Sequence, residues 1–141
     1  MDAEKIALGL IRKHEGFRQM SYKDETGHLT IGFGHNLDEH GISRTLAEIM
    51  LLEDMERCPR ALKGFRWYEK QSDIRKAVLI DMCFNLGLYG LLGFNKTLFY
   101  VGQELHKEAA DEMLKSTWAK QVGDRAIELA YMMEHNKMRG E

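Results

Sequence analysis

Three polar residues near the start of the chain have the types and spacing for acid–base work on a glycosidic bond. Glu15 is followed nine positions later by Asp24, and Thr30 stands six further on. Glycoside hydrolysis uses two carboxyl groups flanking one bond. One stays protonated and gives its proton to the leaving oxygen. The other stays ionised, to activate water or to balance positive charge on the sugar. A threonine hydroxyl beside them can position the water. Spacing alone is a weak signal. A glutamate at a helix end is ordinarily solvated, an aspartate in a turn ordinarily caps its own backbone, and threonine is common in strands. His35 and Asp54 have the types for a base or a metal ligand, and His14, His28 and His40 lie nearby. None has a ligand spacing with another His, Cys or carboxylate, so neither a metal nor a cofactor is expected.

These residues need elements to carry them. Ala3, Ile6, Ala7, Leu10 and Ile11 form one helical face, with Asp2 as N-cap and Gly16 as the stop. Glu15 then sits in the last helical turn. Tyr22, Leu29, Thr30, Ile31 and Phe33 alternate with Gly27, Gly32 and Gly34, which predicts short strands and turns. Ser43 caps a second helix, which ends or kinks at Pro59 because proline lacks the helical N–H. Ser72 or Asp73 caps a long apolar helix that ends around Gly87, Gly90 and Gly93. Asn95 caps a short one, residues 104–115 form another, and Asp124 opens the last. Residues after His135 are polar and expected to fray.

The predicted fold class is α+β, mostly α: a small β-hairpin lobe and a helical-bundle lobe flanking a cleft. The 141 residues are read as one domain. The small lobe takes residues 16–58, and the helical lobe takes residues 1–15 and 59–141.

The formal net charge is -2, which argues mildly against a nucleic-acid or wall-binding role, since proteins that work on anionic polymers are often basic. Residues 38–56 are acidic and residues 57–76 basic, and a solvated helix face explains the basic run at least as well as an anionic ligand. Two cysteines, Cys58 and Cys83, make no disulfide framework and are read as reduced thiols. Lys5, Arg12 and Lys13 bracket a short amphipathic start unlike an export signal, and no run reaches membrane-spanning length. No stable membrane insertion is expected.

The string HEGFRQMSYKDETGHLTIGFGHN, residues 14–36, resembles the active-site segment of the T-even phage lysozymes, glycoside hydrolase family 24. There a helix ends in E-G, a Y-x-D-x-x-G turn follows, and T-I-G-x-G-H completes a hairpin. Glu15-Gly16, Tyr22, Asp24, Gly27 and Thr30 through His35 supply each element. Residues 75–98 resemble the family's buried helix and following turn, and residues 116–129 its W-x-x-Q-x-x-x-R-A segment.

The resemblance implies a lysozyme-like fold and hydrolysis of the β-1,4 bond between N-acetylmuramic acid and N-acetylglucosamine in bacterial peptidoglycan. Glu15 would be the general acid, Asp24 the carboxylate assisting water or holding positive charge, and Thr30 a water-orienting residue. Gly34, Phe84, Asn85 and Thr97 would contact sugar. Arg125 would pair with Glu15, and His35 with Asp54 inside the small lobe. The resemblance further implies a monomeric phage endolysin, made in the host cytoplasm and released to the wall by a separate membrane-permeabilising holin. Two rivals remain: a lytic transglycosylase on the same glycan, and a wall-binding module without catalysis. The chain departs from larger family members in a short stretch between His35 and Ser43, in Asn85 where they carry glutamine, in Pro59 and in Glu128.

Overall fold

The computed structural model describes residues 2–140. The chain forms two compact units, one ending at Met50 and one beginning at Leu51.

In the first unit, α1 (Ala3–Glu15) starts at Asp2, whose side chain accepts from the Lys5 N–H. It stops at Gly16, where φ is 66°. Such a backbone favours glycine, which has no Cβ to clash. Strands β1 (Arg18–Lys23), β2 (Leu29–Gly32) and β3 (His35–Asn36) form an antiparallel sheet in sequence order. Thr30 lies opposite Tyr22 on one side and Asn36 on the other. The β1–β2 turn closes through Asp24, whose N–H donates to the His28 carbonyl at 2.9 Å. A short α2 (Leu37–His40) follows, then α3 (Arg44–Leu62). Ser43 caps α3 by accepting from the Leu46 N–H at 3.1 Å. Leu46 and Met50, early in α3, line an apolar cavity of about 470 Å³ with Ile31, Leu37 and Ile42.

The second unit holds the rest of α3, then α4 (Arg66–Glu69), α5 (Asp73–Leu92), α6 (Asn95–Gly102), α7 (His106–Lys115), α8 (Thr117–Val122) and α9 (Asp124–His135). Its core joins Val78, Leu79 and Met82 of α5 to Met113 of α7 and to Leu129, Ala130 and Met133 of α9. Within α5 and α9 these residues recur at helical spacing, so each helix turns one apolar stripe inward. Gly87 interrupts α5 with φ 75° and ψ 165°, where the sequence reading placed the helix end. Among the described residues, no single helix is long and apolar enough to cross a membrane.

Two expectations are corrected. Helix α3 continues past Pro59 to Leu62. Proline removes only its own N–H; its carbonyl still accepts from Lys63 at 2.9 Å, and both Cys58 and Leu62 reach the core. Asn95 is the first residue of α6 rather than its cap, and no side chain caps that helix. The first unit ends at Met50 and holds α1 together with the sheet. Leu46 and Met50 of α3 line a cavity with Ile31 of the sheet, and only the later residues Cys58 and Leu62 enter the helical core.

Candidate active site

The first unit gathers Glu15, Asp24, Thr30, Gly34 and His35. Glu15 is the last residue of α1, and the chain leaves the helix at Gly16. The carboxyl lies against the backbone of Gly34. A Cβ built on residue 34 would come 2.6 Å from Glu15 Oε2 and 2.7 Å from its Cδ. Gly34 also has φ +75°. Both the close approach and the backbone therefore require glycine there.

Asp24 sits at the start of the β1–β2 turn. Its Oδ1 accepts from the N–H of His28 at 2.8 Å, the N–H of Thr26 at 2.9 Å and the Thr26 hydroxyl at 2.8 Å. The His28 N–H contributes most, and the Thr26 hydroxyl next, to holding this carboxyl below its ordinary pKa. Three donors to one oxygen favour the ionised form. Glu15 and Asp24 line one cavity of about 520 Å³, together with Arg18, Tyr22 and Thr26. The Arg18 guanidinium stacks 4.2 Å from the centre of the Tyr22 ring. Sequence reading missed this pair. The two lie four apart on β1, a spacing that puts side chains on one face of a strand.

Thr30 is 3% exposed, and its hydroxyl donates to the His28 carbonyl at 2.9 Å. Its site thus connects through residue 28 to the donors that hold Asp24. His35 bonds through Nε2 to the Gly41 carbonyl. A carbonyl only accepts, so that nitrogen carries the proton.

The second unit holds Asp54, Phe84, Asn85, Thr97 and Arg125. Asp54 pairs with Arg57 on α3 at 3.6 Å, and His35, its expected partner, belongs to the first unit. Arg125, expected to partner Glu15, donates from Nε to Asp81 Oδ1 at 2.8 Å, joining α9 to α5. Asn85 Oδ1 accepts from the indole N–H of Trp118 at 2.7 Å. Thr97 is buried and lines a cavity of about 500 Å³ with Trp118, Lys96, Glu112, Lys115 and Ser116. The sequence reading singled out neither lysine, because isolated surface charges carry no local signature. Half-exposed Phe84 lines a third cavity, with Asp54 and Arg57. Among the described residues, no group of three or more His, Cys, Asp or Glu side chains is placed to hold a metal.

Residues 12–135 match the phage lysozyme family. Two Dictyostelium discoideum proteins, described as probable T4-type lysozyme 1 and probable T4-type lysozyme 2, are similar to the chain. Each is 24% identical over 155 aligned positions, which cover 89% of this chain and 91% of theirs. The chain therefore belongs to the phage lysozyme family, with a lysozyme-type function.

Proposed function

We propose that the protein is an endolysin that hydrolyses the β-1,4 bond between N-acetylmuramic acid and N-acetylglucosamine in bacterial peptidoglycan. The observation that carries this reading is the shared cavity of Glu15 and Asp24, with the Glu15 carboxyl seated on Gly34. Glu15 gives its proton to the leaving oxygen as the bond breaks. Asp24, ionised by its three donors, takes the proton of the attacking water or balances charge on the sugar ring. Thr30 orients that water, and Gly34 contacts the glycan beside Glu15. The reaction inverts the anomeric centre, and proton NMR of the first-formed product tests this: a β anomer would refute inversion. The enzyme acts as a monomer, without a cofactor, and reaches the wall from the host cytoplasm once a separate holin opens the membrane.

The test compares turbidity loss of purified peptidoglycan with wild type and Glu15→Gln. The substitution keeps the shape and removes the acid, so a fall of roughly 10²- to 10⁴-fold is expected. Equal lysis by both would refute the assignment of Glu15. Binding without lysis by wild type would make the protein a wall-binding module. Product mass separates hydrolysis, which adds water, from transglycosylation, which does not.

A further inference from the structure

Cys58 and Cys83 lie far apart in sequence and face one cavity. Cys58 is in the last turns of α3, and Cys83 is in the middle of α5. Both line a space of about 410 Å³, with Ala61, Phe84, Gly87 and Leu88. They are 6% and 4% exposed, and both belong to the apolar core. Cys58 stands close enough to Cys83 to raise that thiol's pKa. Neither is needed by the proposed mechanism, and both are free thiols.

We propose that Cys58 and Cys83 form an oxidation site, closing an intramolecular disulfide that ties α3 to α5 when the protein meets a disulfide oxidant such as oxidised glutathione. One cysteine thiolate attacks a sulfur of the oxidant, forms a mixed disulfide and expels one glutathione thiolate. The second cysteine then attacks the protein sulfur of that mixed disulfide and expels the other. One disulfide breaks in the oxidant and one forms in the protein. The two electrons and two protons lost by the cysteines appear in two molecules of reduced glutathione.

Burial first, and the neighbouring Cys58 second, push the Cys83 thiol up to about 11. A thiol of this kind is almost wholly protonated at neutral pH. It attacks slowly, and as a leaving group it departs slowly. The bond therefore forms slowly at neutral pH and faster in mild alkali. Once formed, it resists reduction where the attack falls on Cys58 and Cys83 must leave. This is a durable clamp rather than a rapid sensor. Its use to an enzyme that leaves a reducing cytoplasm for an oxidising cell envelope rests on the wall-cutting reading; the bond itself does not.

The full-length protein is incubated with oxidised glutathione, its free thiols are alkylated, and intact mass and non-reduced peptides are measured. The expected result is loss of both free thiols, with a cross-linked peptide pair carrying Cys58 and Cys83. The melting temperature should rise by roughly 5–10 °C and fall back on reduction. Cys58→Ser and Cys83→Ala should each abolish the cross-link and the rise, and at most one glutathione adduct should remain. Two cysteines that stay alkylatable, two separate adducts or a cross-linked dimer would each overturn the proposal. A bond formed without a rise would overturn the clamp. Turbidity loss is read on the same samples. An inactive but cross-linked protein counts against the lysozyme reading alone, and an active one without the bond counts against the disulfide alone.

Discussion

At the scale of single residues, the candidate site depends on how two carboxyls are held. Glu15 lies where a side chain on residue 34 would begin. Gly34→Ala should therefore push the carboxyl aside and lower hydrolysis even though no acid is removed. The mutant should also lose about 1–2 kcal/mol of stability from its left-handed backbone, read by urea unfolding. A rate lost no faster than stability would refute the positioning role. Asp24 is held by donors on residues 26 and 28 rather than by a cation alone. Its folded pKa is lowered, so its stabilising effect is present above the unfolded value. That effect disappears as pH falls through the folded value. Asp24→Asn should flatten the acid limb of stability, followed by circular dichroism, and reduce turbidity loss at neutral pH.

At the scale of elements, the start of α7 is fastened to α4 and α6 by a partly buried polar cluster. His106 Nε2 meets Gln71 Oε1 at 2.9 Å and Glu104 Oε2 at 3.1 Å. Gln71 donates in turn to the carbonyls of Trp67 and Val101. Burial first, then the charge of Arg75, lowers the His106 pKa; Lys70 acts the same way, and Glu104 opposes. The neutral imidazole is thus the form the fold prefers. Its contribution is complete above the ordinary histidine range and is lost as pH drops through the lowered folded value. The urea midpoint should fall across that acidic window, and His106→Gln should remove that part of the dependence. An unchanged pH profile in the mutant would refute the assignment.

At the scale of the whole chain, burial is unequal. Among the described residues up to Met50, only Thr30 is buried, whereas the core residues run from Cys58 to Met133. Buried apolar contacts set how much structure must open before an amide exchanges. Hydrogen exchange should therefore find the slowest amides in α5 and α9, opening only with global unfolding. The sheet and α1 should exchange through cheaper local openings. Leu79 is fully buried. Leu79→Ala should cost about 2–5 kcal/mol by lost burial and a residual cavity, read by chemical unfolding.

Much of this was legible from neighbours along the chain. Asp2, Ser43 and Ser72 are legible as caps in the sequence and each accepts a backbone N–H, because capping involves residues only three apart. The turn at Asp24 and Gly27, and the helix break at Gly87, follow from the same short-range chemistry. Pro59 and Asn95 show where local rules gave way. Core packing outweighs one missing hydrogen bond in α3, and Phe94 rather than Asn95 holds the cap position of α6. The partners of the functional residues were another matter. Glu15 against Gly34, Asn85 on Trp118, Arg125 on Asp81 and Cys58 facing Cys83 all join residues well separated in sequence. Periodicity places a side chain on a face of its own element. Which atom it meets depends on how that face packs against another, and only the tertiary structure decides that.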